Sequence, residues 1–173
     1  TCALPISMLK NLEKYKVILA SNSPRRKELL SGLGICYEVK TLPGIEESYP
    51  DTLSGEEIPV FIACEKADAY RQTMHSDELI ITADTIVWLD GLVMGKPEDE
   101  EDARRMLRCL SGKTHQVITG VCLTTTEFQK SFATVTDVIQ IHKEGKQNRI
   151  DASNKIKALQ SNLNQLVIEG SRK

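Results

Sequence analysis

"KVILASNSPRRKELLSGLG", residues 16–34, decides how the rest of the chain is read. Its opening, "KVILAS", is short, apolar and β-branched, the composition of a strand buried on both faces. Ser23 can cap a helix, and Pro24 suits the first helical position, where its missing N–H would be unpaired anyway. "RRKELLSGLG" then supplies helix formers that stop at Gly32 and Gly34. The segment therefore reads as strand, tight turn and helix, the repeating unit of an α/β fold.

Working outward, the same alternation continues. "CYEVKT" (36–41) reads as a second strand, followed by the loop "LPGIEESYPDTLSG", dense in turn residues and acids. Ser54 and Glu57 match a capping box that opens a second helix through "IPVFIACEKADAYRQ", with Pro59 near its first turn. "ELIITADTIVWLDGLVMGKP" (78–97) is a strand run that turns at Asp90-Gly91, a two-residue hairpin signal. "EDEEDARRMLRCL" predicts a third helix: acids crowd its first turns, and Ala103, Met106, Leu107 and Leu110 share one face. "HQVITGVCLTTT" and "KSFATVTDV" give two further, adjacent strands. Strands and helices alternating with hairpins predict an α/β domain built on a mixed sheet.

The chain has 173 residues, enough for one domain with a substantial core. With 40% hydrophobic and 27% charged residues and a net charge of −2, it has no global basic field to recruit nucleic acid or an acidic membrane. Any anion site must be local. The five cysteines are widely spaced with no C-x-x-C pair, so they suggest reduced core residues in a cytoplasmic protein rather than a disulfide framework or a zinc site. No apolar run approaches the roughly 20 residues needed to span a bilayer. Residues 1–7 read as an extraneous leader. Residues 139–173 lack aromatics and turn basic; Ile156, Leu159, Leu163 and Leu166 there form one stripe of a helix fit for a surface or for partner packing.

Few residues stand out chemically. Ser21, Ser23, Arg25 and Arg26 sit at a strand-to-helix turn, where free N–H groups and the helix dipole favour an oxyanion. Ordinary helix capping explains the same residues. Asp84 interrupts the apolar run "IITADTIVWL", where an ionised acid is costly unless it meets a cation, a metal or a hydrogen-bonded cluster. A structural carboxylate at a bend is the competing explanation. Glu46 and Glu47 lie in the acid-rich loop, and Lys66 and Lys96, taken singly, read as surface charges. His75 and His115 have no partner at metal-ligand spacing. Carboxylates and basic residues around an anion-binding turn together suit a phosphate-bearing substrate with a divalent cation. There is no G-x-x-x-x-G-K-[ST] phosphate loop.

"LASNSPRRKELL" (19–30), "GIEE" (44–47), "EKA" (65–67), "TADTIV" (82–87), "GKP" (95–97), "DARRMLRCLSGKTHQVITGV" (102–121) and "TDV" (136–138) resemble, in order and spacing, the Maf family of nucleoside triphosphate pyrophosphatases. The resemblance spans residues 8–138 and implies a mixed sheet with flanking helices around a deep cleft, as in inosine triphosphatase-like folds. It implies hydrolysis of a nucleoside triphosphate to the monophosphate and pyrophosphate with Mg²⁺ or Mn²⁺, a homodimer, and an association with cell-division arrest. Carried over by position, Asp84 would activate the attacking water. Ser21, Ser23, Arg25 and Arg26 would cradle phosphates, and Glu46, Lys66 and Lys96 would complete the metal and phosphate site, with Glu46 and Asp84 as metal ligands. Arg25 and Thr85 match the branch acting on dTTP and UTP. Residues 139–173 depart from the family's pattern, making the C-terminal part atypical; the alternative expectation is a truncated, non-catalytic nucleotide-binding or regulatory protein.

Overall fold

A computed structural model describes residues 12–139. The leader at 1–7 and, beyond Ile139, the tail with its Ile156, Leu159, Leu163 and Leu166 stripe lie outside the described residues. The elements run β1 (Lys16–Leu19), α1 (Pro24–Gly32), β2 (Glu38–Val39), α2 (Glu57–Arg71), β3 (Glu78–Leu89), β4 (Leu92–Met94), α3 (Glu100–Leu110), β5 (Thr114–Thr124) and β6 (Gln129–Ile139).

All six strands form one mixed sheet in the order β2-β1-β3-β5-β6, with β4 also on β3. β1 runs parallel to β2 and β3, while β3–β4, β3–β5 and β5–β6 are antiparallel. The expected β3–β4 hairpin turns at Asp90 and Gly91, both with positive φ (52° and 85°), as the tight turn demands.

The period-two alternation of β1, β3 and β5 sorts their side chains onto two faces. Val17, Leu19, Leu79, Ile81, Ala83, Val121 and Leu123 form one buried cluster, closed by α1 and the turn after it through Leu30, Leu33 and Ile35. On the opposite face Ile18 and Ile80 meet Tyr70 of α2, and Ile86 and Ile118 meet Ile58 and Ile62. Each such side chain stabilises the fold by roughly 1.5–3 kcal/mol relative to exposure. α2 is seated unusually close to the sheet. A Cβ on Gly120 of β5 would overlap the backbone of Pro59 and Val60, so only glycine fits beneath the first turn of that helix.

Three local expectations change. Strand β2 shrinks to two exposed residues, because among the described residues it stands at the edge of the sheet and pairs only with β1. α2 begins at Glu57 rather than Ser54: the Ser54 N–H donates to Glu57 Oε2 at 3.1 Å, which forms half of the capping box while residues 54–56 remain outside the helix. No residue of α3 is buried, and Leu107 is 55% exposed, since α1 and α2 already cover the two faces at the centre of the sheet.

The register positions the site. β1 pairs with Glu78–Ile81 of β3, β4 pairs with Val87–Leu89, and β5 occupies the other edge of β3 along Ile80–Trp88. β1 and β4 therefore share an edge but leave a gap: among the described residues Thr82–Ile86 have no partner strand there. Asp84 stands in the middle of this opening.

Candidate active site

Neighbouring strand residues point to opposite faces, so Asp84 and Thr85 look out of the opening on different sides of the sheet. Thr82 and Ile86 face α2, through the Thr82 Oγ1–Ala63 O bond at 2.7 Å and the Ile58/Ile62 cluster, and Asp84 shares that side. Thr85 faces α1. The gap in the sheet lets groups from both helices reach the same space.

From α2, Lys66 Nζ lies 2.9 Å from Asp84 Oδ1 and 2.8 Å from Glu47 Oε1. Taken alone Lys66 reads as a surface charge, yet its side chain is only 14% exposed. Position explains this: one turn after Ile62 and one before Tyr70, it stands in the centre of the buried face of α2. That periodicity was the available signal. Lys96, 91% exposed, reaches Glu47 Oε2 at 3.5 Å and does behave as a surface cation. Glu47 is thus gripped by two lysines. The Lys66 hydrogen bond, ahead of any opposing effect of burial, holds its carboxyl below the usual range.

From α1, Arg26 Nη1 donates to Ser21 Oγ at 3.2 Å and Nη2 to Thr85 Oγ1 at 3.4 Å. Burial pushes the Arg26 pKa down, while the nearby Asp84 and Glu47 charges oppose that shift. Ser23 is the N-cap of α1, but its side chain makes no capping bond. Instead the Ser23 N–H donates to Ser21 Oγ at 3.2 Å, within the turn. Arg25 is exposed and is not among the residues that line this site.

Ser21, Asn22, Arg26, Glu47, Lys66 and Ala83 line a polar cavity of about 240 Å³. Tyr70 pins its outer wall: the Leu42 N–H donates to Tyr70 Oη at 2.8 Å, and the Tyr70 hydroxyl donates to Lys40 O at 2.9 Å. Glu46 points elsewhere, into a neighbouring cavity of about 720 Å³ that it lines with Tyr49, Phe61 and Glu65. The carboxylate brought beside Asp84 is therefore Glu47. Two adjacent acids in an irregular loop carry no periodicity that could have told them apart. Asn22, Tyr70 and Thr119, which bonds to Thr85, also escaped the sequence reading. Among the described residues, no group of three or more His, Cys, Asp or Glu side chains could hold a metal ion by itself.

The sequence profile of the Maf-like protein family matches residues 16–158. The chain belongs to the Maf-like protein family. Among the relatives of this Maf-like chain, the dTTP/UTP pyrophosphatase of Phocaeicola vulgatus is 81% identical over 131 residues, covering 76% of this chain and 68% of that protein. The dTTP/UTP pyrophosphatase of Bacteroides fragilis is 68% identical over the same coverage. A solved HAM1 protein from Coxiella burnetii superposes with a TM-score of 0.52 at 16% identity, over 87% of this chain and 99% of that one, a likeness of fold. Among the described residues, no helix of this Maf-like chain is long and apolar enough to cross a membrane.

Proposed function

We propose that the chain is a nucleoside triphosphate pyrophosphatase acting on dTTP and UTP, releasing the monophosphate and pyrophosphate. One observation carries the reading: Asp84, in the gap of the sheet, pairs with Lys66 from α2, while Thr85, the next residue along the strand, accepts from the half-buried guanidinium of Arg26 from α1. The relatives named dTTP/UTP pyrophosphatase support the choice of bases.

In this reading the triphosphate lies across the polar cavity, with Arg26, Ser21 and Ser23 on phosphate oxygens and Arg25 outside it. Asp84 takes a proton from a water whose oxygen bonds to the α-phosphorus; the bond from that phosphorus to the α–β bridging oxygen breaks, and pyrophosphate leaves. Lys66 keeps the Asp84 carboxylate oriented. The basic groups offset charge on the phosphates, where preorganised donors are most effective. The donor chemistry fits a hard divalent cation, which commonly takes one or two carboxylates and completes its shell with phosphate oxygens. Asp84 and Glu47 would hold Mg²⁺ or Mn²⁺ in this way, and the ion would neutralise phosphate charge.

The test is pyrophosphate release from dTTP and UTP with Mg²⁺ or Mn²⁺. Asp84→Asn is expected to lower kcat by roughly 10²–10⁴-fold, the range for removing a general base. No release by the wild-type chain, or release unchanged by the substitution, overturns the reading. Nucleotide binding without turnover would instead mark a binding protein.

A further inference from the structure

Thr119 lies on β5 directly opposite Thr85 of β3. Opposed residues in an antiparallel pair share a face, and their hydroxyl oxygens stand 3.0 Å apart. Thr85 Oγ1 accepts from Arg26 Nη2 at 3.4 Å, Arg26 Nη1 donates to Ser21 Oγ at 3.2 Å, and Ser21 Oγ also accepts from the Ser23 N–H. A continuous chain of contacts thus runs from the central sheet to the turn before α1.

Arg26 is unusual within that chain. Among the described residues it forms no ion pair, and its hydrogen bonds go to two neutral hydroxyls, with the Asp84 and Glu47 charges acting from farther away. A guanidinium only donates and has donors to spare for an incoming oxyanion. Its usefulness depends on where it points. Thr85 can aim it only if its own hydroxyl is held. A threonine hydroxyl is a rotor with one proton, and a second hydroxyl at 3.0 Å, whichever of the two donates, restricts that rotor and still leaves Thr85 a lone pair for Arg26.

We propose that Thr119 is a positioning residue of the phosphate site: its hydroxyl holds Thr85, and through Thr85 it keeps Arg26 turned into the opening of the sheet. The inference rests on reading this cavity as a triphosphate site. Thr119 itself touches neither Arg26 nor substrate.

Valine keeps the β-branched shape that suits a strand and removes only the hydroxyl. Serine keeps the hydroxyl and removes the methyl. Binding of inorganic pyrophosphate by calorimetry, with KM and kcat for dTTP, is to be measured for the wild type, Thr119→Val, Thr119→Ser, Thr85→Val and the Thr85→Val/Thr119→Val double variant. Thr119→Val is expected to weaken pyrophosphate binding and raise KM by about three- to tenfold, the scale of one lost hydrogen bond, with kcat changed less. Thr119→Ser should stay within about twofold of the wild type, and the double variant should bind no more weakly than Thr85→Val alone. Wild-type binding by Thr119→Val, equal losses in the Val and Ser variants, or losses that multiply in the double variant would each overturn the positioning role. If the wild type neither binds pyrophosphate nor hydrolyses dTTP, the pyrophosphatase reading falls and the inference with it. An active wild type with a silent Thr119→Val removes the inference alone.

Discussion

α2 buries Ile58, Pro59, Ile62, Ala63, Ala67 and Tyr70 against the sheet, whereas α3 buries nothing. Local signals rank them the other way. α2 has a proline in its first turn and no side-chain cap. α3 has an Asp99 cap accepting from the Asp102 N–H at 2.8 Å, acids throughout its first turn, and ion pairs from Arg104 to Glu100 and from Arg105 to Asp102. Local propensity and capping contribute tenths of a kcal/mol to about 1 kcal/mol each, while burying an aliphatic face contributes several times that. The helix with the weaker local grammar is therefore the one able to carry a half-buried lysine into the site.

The comparison is broken most directly at Lys66. Lys66→Met keeps the length and apolar stem of the side chain but removes the ammonium that hydrogen-bonds both Asp84 and Glu47. Activity towards dTTP should fall by roughly 10²–10³-fold, as when one preorganised donor is removed from a charged site. A loss below tenfold in steady-state assays would reduce α2 to a scaffold, no different in kind from α3.

Gly120 tests the seat of α2 rather than its chemistry. Gly120→Ala places a methyl group against the Pro59 and Val60 backbone. Because backbone cannot swing aside as a side chain can, the substitution should destabilise the fold by about 1–3 kcal/mol, the usual cost of overpacking. Urea unfolding at 25 °C measures it. Stability within about 0.5 kcal/mol of the wild type, typical of a surface change, would show that α2 has slack over β5 after all.

How much of this was legible in the sequence follows the same division. The β1–α1 unit, the Asp90-Gly91 hairpin and the β5–β6 pair are encoded within a few neighbouring residues, and all of them stand in the structure. Asp84 announced itself as a carboxylate in an apolar run, and the cation it needed is present in Lys66. The gap between β1 and β4 had no local signature, because it arises where two strands far apart in the chain stop along one edge of β3. Without that gap nothing in the pattern says that Arg26 and Lys66, on opposite faces of a sheet, share a cavity. The apolar stripe of α3 misleads for a related reason: a stripe shows which side would be buried and leaves open whether a surface is free to bury it.

The finest distinction between the two helices is their response to acid. Arg105 hydrogen-bonds the Asp102 carboxyl, and the Glu98 N–H adds a second bond, so its pKa lies below the ordinary value of 3.8. A carboxyl with a depressed native pKa contributes stability that is present in full above its unfolded value and is lost as pH falls through the lowered native one. The window therefore lies below about pH 4. Asp102 is only partly covered and its partner Arg105 is exposed, so solvent screens the effect and confines it to the first turn of α3. Amide hydrogen exchange followed down to pH 3 should show α3 losing protection while α2, tied to the sheet by its buried face, keeps it. Asp102→Asn should remove that pH dependence without changing protection in α2. Simultaneous loss in both helices would mean that α3 is coupled to the core despite burying no side chain, and the contrast between a packed helix and a locally stabilised one would not hold.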